Sequence, residues 1–130
     1  MVSITQVLES NAQIPKRLPP RLVAVFAGAT TGIGEATLKA FVKYAVEPRI
    51  YLFARSTASA ERVAAACKTL NPSAEFDIVK VDLSSVRETD QACAQLKAKE
   101  KAVNLVFLSA GEVRLDRSRT SIYHSLFCPV

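Results

Sequence analysis

The stretch Leu22–Gly34 reads LVAVFAGATTGIG. Leu22–Ala27 is a continuous apolar run with no polar alternation. A run of that length and character marks a strand buried on both faces, as in a parallel sheet. Glycine at Gly28 ends it, and two more glycines follow at Gly32 and Gly34. Beyond them the apolar period changes from continuous to helical. Ile33, Ala36, Thr37, Ala40, Phe41 and Tyr44 are expected on one helix face, with Glu35, Lys39 and Lys43 opposite. Strand, glycine turn and helix therefore follow without a linker.

The same unit recurs outward at intervals of about 27 residues. Further strands are expected at Ile50–Ala54, Phe76–Val81 and Val103–Leu108. The third is the most mixed and suits a sheet edge. The second helix should bury Ala60, Val63, Ala64, Cys67 and Leu70, and Asn71-Pro72 should stop it. The third should bury Val86, Thr89, Cys93 and Leu96. Ser85 and Glu88 have capping-box spacing at its start. Lys97, Lys99 and Lys101 suit the negative pole at its end. Short connections between alternating strands and helices require right-handed crossovers. The expected class is α/β, a partial doubly wound parallel sheet of about four strands in the order 3-2-1-4. Residues 1–20 read as an N-terminal arm. Ile4, Val7 and Leu8 could form one amphipathic turn there, and Pro15, Pro19 and Pro20 disfavour regular structure after it. Residues 21–111 hold the strand–helix units, and residues 112–130 show no period and leave the domain incomplete.

Composition excludes several classes. The chain has 130 residues, 49% hydrophobic and 22% charged, which is ordinary for one globular domain. Its apolar runs are too short to span a bilayer, so no membrane partner is expected. The first residues lack the basic start and apolar core of a signal peptide. Cys67, Cys93 and Cys128 match neither a disulfide framework nor a metal pattern. A reducing, cytoplasmic setting is expected. The net charge of +5 could attract phosphorylated ligands, but no basic cluster is interleaved with aromatic residues, so nucleic acid is not expected.

The glycine turn carries chemistry. Gly28 lets the chain leave the strand sharply, Gly32 leaves room for a pyrophosphate against the backbone, and Gly34 lets the helix pack on the sheet. The helix N-terminus offers unpaired N–H groups and a positive dipole end to phosphate. A glycine motif between a strand and a helix is the context that marks a dinucleotide site. Thr30, Thr31 and Ile33 lie within it.

The spacing Gly-x-x-x-Gly-Ile-Gly resembles the short-chain dehydrogenase/reductase family, over about Leu22 to Gly111. That resemblance implies a Rossmann sheet and further cofactor contacts. Arg55-Ser56 ends the second strand, where the family reads the adenosine ribose. Asp82-Leu83 ends the third, where the family's aspartate meets the adenine. Ser109-Ala110-Gly111 ends the fourth, where the family usually has Asn-Asn-Ala-Gly, and here Leu108 and Ser109 replace both asparagines. The wording from Gly111 to Ser121 is similar to fungal members of secondary-metabolite pathways.

An acidic residue about 20 positions past the turn would hold the ribose hydroxyls of NAD(H). Ala54 stands there, followed by Arg55. A carboxylate repels a 2′-phosphate, whereas a guanidinium binds it through a charged fork. The expected cofactor is NADP(H). Arg55 can also be read as a solvated residue before the helix, and Asp82 as a cap or turn residue.

The family's chemistry uses Tyr-x-x-x-Lys on one helix, where the ammonium lowers the tyrosine pKa. Four residues beyond Tyr44 is Pro48, and beyond Tyr123 is Phe127. Tyr51 is followed by Arg55, but on a strand, about 13 Å apart. No catalytic residue is therefore assigned. Asp116, His124 and Ser125 could be written as a triad, but no motif positions them. Arg114, Arg117 and Arg119 read as a solvated basic stretch. Two expectations follow. The chain is a truncated NADP(H)-dependent reductase of small-molecule carbonyls or alcohols, or it is an inactive nucleotide-binding module or partner subunit. A purely structural protein fits least. In either case Val103–Leu108 is an apolar edge that invites pairing. Self-association or a helper subunit should show as oligomers in light scattering, and a stable micromolar monomer would contradict it.

Overall fold

The computed structural model describes residues 1–111. The expectations for Arg114, Asp116, Arg117, Arg119, Tyr123, His124, Ser125 and Cys128, and for the irregular tail, lie outside the described residues.

The arm is more regular than its prolines suggest. It forms α1 (Ile4–Ala12) and α2 (Ile14–Arg17). Ser3 and Gln6 close a reciprocal capping box on α1, which the sequence reading missed. Pro15 sits in the first turn of α2, where its missing N–H has no helical partner to lose. Then follow β1 (Val23–Ala27), α3 (Gly32–Tyr44), β2 (Arg49–Ala54), α4 (Thr57–Leu70), β3 (Glu75–Lys80), α5 (Val86–Lys99) and β4 (Leu105–Leu108).

The sheet is parallel throughout, in the order β3-β2-β1-β4. β1, β2 and β3 succeed one another in one direction, so right-handed crossovers put α3 and α4 on the same face. The return from β3 to β4 reverses direction and puts α5 on the other. Strand alternation divides the core accordingly. Ala24, Phe26, Ile50 and Leu52 meet Leu38, Val42, Val63 and Cys67. Val25, Ala27, Tyr51 and Phe53 meet Val81, Ala92, Cys93 and Leu96. Each fully buried Leu, Ile or Phe here contributes about 1.5–3 kcal/mol.

The ends of two helices lie outside this core. Leu70 is 52% and Val86 61% exposed. β3 is an edge strand, as its mixed sequence predicts, and β4 is the opposite edge. Asn104 fixes the start of β4, since its N–H donates to the Val23 carbonyl at 2.8 Å and its side-chain oxygen accepts from the Val23 N–H at 2.9 Å. Val106 and Leu108 remain 57% and 74% exposed on that edge.

α3 is rotated from the expected face. It buries Gly34, Leu38 and Val42, while Ile33 is 80% exposed. Gly34 sets this rotation. A Cβ at Gly34 would lie 2.5 Å from Ser109 Oγ and 2.8 Å from Ala29 Cα. The hydrogen-only face must turn inward, and Leu38 and Val42 follow at helical spacing. Thr37, Ala40, Phe41 and Tyr44 face sideways instead, into an apolar cleft of about 330 Å³ shared with α2 and β4. Gly28 is equally close to β4. It adopts φ +80°, and a Cβ there would lie 2.5 Å from Ala110 Cα. Gly34→Ala should therefore destabilise the chain by about 1–3 kcal/mol, the usual cost of overpacking. Urea unfolding measures it, and an unchanged midpoint would show that α3 moves away freely.

Candidate functional site

The C-terminal ends of β1, β2, β3 and β4 open on one cleft of about 480 Å³. It sits where β1 separates the two directions of strand order, the usual ligand position in an open parallel sheet. Gly28, Thr30, Thr31, Ile33, Gly34, Arg55, Asp82, Leu83, Ser109, Ala110 and Gly111 line it. The structure thus brings together residues as far apart in the chain as Gly28 and Gly111. Gly32 is not among the lining residues. It opens α3 with φ +58°, and a Cβ there would meet nothing within 4 Å. That open space beside a helix N-terminus is the room a pyrophosphate requires. The residues present therefore fit a dinucleotide. Ala54 lines it too, and Phe53 and Ser84, which were not singled out from sequence, complete the lining.

Two of the expected site residues also have structural work. Ser109 Oγ donates to the Gly28 carbonyl at 3.0 Å. It ties the end of β4 to the glycine turn. Asp82 Oδ1 accepts from the Ser84 N–H at 3.0 Å and from Ser84 Oγ at 2.8 Å. These bonds hold the Asp82 carboxyl below its ordinary range, with the charge of Arg55 adding to the effect. The turn role weighed for Asp82 is thus real, and the residue lines the cleft as well. The capping box expected at Ser85 is half formed. Ser85 Oγ accepts from the Glu88 N–H, but the Glu88 carboxylate takes the Asp82 N–H at 2.9 Å instead of the Ser85 N–H. Glu88 thereby fixes the turn that carries Asp82.

A second group holds the turn from outside the cleft. Arg62 on α4 donates to the Thr30 carbonyl at 2.8 Å and to Glu35 Oε2 at 3.0 Å. Lys39 donates to Glu35 Oε1 at 2.6 Å. Hydrogen bonds from Arg62, then Lys39, lower the Glu35 pKa to about 2. The spacing of Glu35 and Lys39 is legible as an i, i+4 pair. No local spacing signals Arg62, because its contact depends on how two helices pack.

The tyrosines lie elsewhere. Tyr44 lines the apolar cleft beside α2. Tyr51 donates to Glu100 at 2.7 Å, and burial with that bond raises its pKa to about 12. This is the opposite of what an acid–base tyrosine needs near neutral pH.

Known proteins agree with this architecture. The short chain dehydrogenase family profile matches residues 22–123. An oxidoreductase of Emericella nidulans is 36% identical over 115 residues, covering 88% of this chain and 34% of that protein. The NmrA-like family domain-containing oxidoreductase notO of Aspergillus sp. is 39% identical over 113 residues, covering 85% of this chain and 34% of that protein. The chain thus spans about one third of the length of these curated relatives. Among solved structures, an alcohol dehydrogenase from the archaeon Thermococcus sibiricus, complexed with 5-hydroxy-NADP, superposes with a TM-score of 0.65 at 25% identity, covering 81% of this chain and 45% of that one. Glycine turn, strand order and matched profile lead to one assignment: the chain belongs to the short-chain dehydrogenase family.

Proposed function

We propose that the chain is the NADP(H)-binding part of an oxidoreductase that interconverts a carbonyl and an alcohol on a small molecule. The observation that carries this reading is Arg55 at the rim of the cleft, one residue past the end of β2 and next to Ala54, which stands where NAD(H) selection would need a carboxylate. The N-terminus of α3 would receive the pyrophosphate, and Arg55 the 2′-phosphate. Asp82 and Leu83 would face the adenine, and the Ala110-Gly111 backbone would border the middle of the cofactor. When bound, the cofactor supplies or accepts hydride. The NADP-type ligand of the archaeal relative supports the choice. The fungal oxidoreductases among the relatives support a role in fungal small-molecule metabolism.

A second reading has its own support. Neither tyrosine among the described residues lines the cleft. A nucleotide-binding module without hydride transfer, acting beside a partner subunit or a second copy, fits that arrangement.

Two measurements test these readings. Arg55→Ala should weaken NADPH binding by about 1–3 kcal/mol, the scale of a charged hydrogen bond, and leave NADH binding nearly unchanged. Calorimetry with both cofactors decides it, and equal losses would remove Arg55 as the selector. The 130-residue chain should show no saturable NADPH oxidation with quinones or ketones. A protein-dependent rate abolished by Gly32→Asp would refute the second reading.

A further inference from the structure

We infer that Arg62 is a positioning residue for the phosphate-binding turn, acting on it from outside the cleft through the Thr30 carbonyl and Glu35. The inference rests on the reading that this turn receives phosphate. Its geometry, however, is a property of the cofactor-free chain.

Arg62 Nη2 reaches two acceptors, the Thr30 carbonyl at 2.8 Å and Glu35 Oε2 at 3.0 Å. The first contact controls direction. The peptide joining Thr30 to Thr31 is trans and planar, so its carbonyl and its N–H point in opposite senses. Fixing the Thr30 carbonyl toward α4 therefore fixes the Thr31 N–H away from it. Thr31 is the N-cap of α3, in the segment where an anion meets the backbone. Nothing in the turn itself supplies this restraint. Among the described residues no other donor reaches the Thr30 carbonyl.

The second contact controls charge. Glu35 lies in the first turn of α3. A carboxylate there suits the helix dipole but opposes a phosphate at the same end. Arg62 and Lys39 take up its two oxygens and offset that charge. Arg62 is not part of the cleft lining, so it does not compete with Arg55 for the ligand. Loss of Arg62 would release the turn and leave the Glu35 carboxylate beside a bound phosphate compensated by Lys39 alone.

Amide hydrogen exchange of the peptide covering residues 28–34 tests this in the cofactor-free 130-residue chain. Arg62→Ala should speed exchange there about tenfold, with β1 and β2 unchanged, as expected when one charged hydrogen bond is lost. NADPH affinity should fall by a similar factor. Arg62→Lys keeps the charge but not the two-pronged reach, so it should fall between parent and alanine on both measures. It also serves if Arg62→Ala does not fold. Parent-like exchange at 28–34 in the folded variant would overturn the inference. So would a uniform rise across β1 and β2, which would show general destabilisation. If the parent takes no NADPH while 28–34 still responds, the cofactor reading fails and the role of Arg62 in the turn stands.

Discussion

Ser109 and Ala110, at the end of β4, rest directly on the glycine turn that follows β1. No Cβ fits between them at Gly28 or Gly34. That contact decides more than local packing. It forces the bare side of α3 inward, so Leu38 and Val42 enter the core behind Gly34. It also forms one wall of the cleft, because Ser109 and Ala110, with Gly111 after them, border the opening. Ser109 stands where the family usually has asparagine. Its hydroxyl is spent on the Gly28 carbonyl at 3.0 Å, so this chain secures the β1–β4 junction with a shorter side chain.

Charge is distributed in the same economical way. Two carboxylates near the cleft are held in their ionised form by neighbours, Glu35 by Arg62 and Lys39, and Asp82 by Ser84 with help from Arg55. Glu88 braces the Asp82 turn through its N–H. The opposite end of the sheet carries a separate network. Arg49 pairs with Glu100 at 3.1 Å and with Asp77 at 3.4 Å, and Tyr51 donates to Glu100. That network joins β2, β3 and the end of α5, and it lies away from the ligand end. The bonds near the cleft keep a turn in shape, whereas those at the far end keep strands and helix together. The sheet is thus braced at both ends, with the cleft-lining residues gathered at one.

The apolar surface is less evenly settled. β1 and β2 are enclosed, but β4 exposes Val106 and Leu108 along its free edge. On the opposite face of β4 from these two side chains, Phe41 and Tyr44 of α3 and Ile14 and Leu18 of α2 border the apolar cleft with Leu105 and Phe107. α2 leans over part of this surface and does not fill it. Such an edge, bordered by an apolar hollow, is a demanding feature for any chain of this size.

Sequence alone was enough for the four strands, the three helices that connect them and their order. Continuous apolar runs, a glycine turn and helical periods each have a local physical cause, and right-handed crossover leaves few ways to connect them. The candidate site was legible by the same means, because Gly28, Arg55, Asp82 and Ser109 stand just past strand ends, where the topology gathers them, and Gly34 lies in the first turn of the helix that follows β1. The rotation of α3 was not legible. Two apolar stripes compete on that helix, and the choice belongs to Gly34 meeting Ser109, 75 residues away along the chain. Nor was the N-terminal arm, where a capping box and a proline in the first helical turn favour helix over the irregular backbone its prolines suggest. The double duty of Asp82 and the grip of Arg62 on Thr30 were likewise decided only in the tertiary structure. Periodicity reports which side of an element is apolar. It carries no record of which side chain from another element will arrive at a given carbonyl.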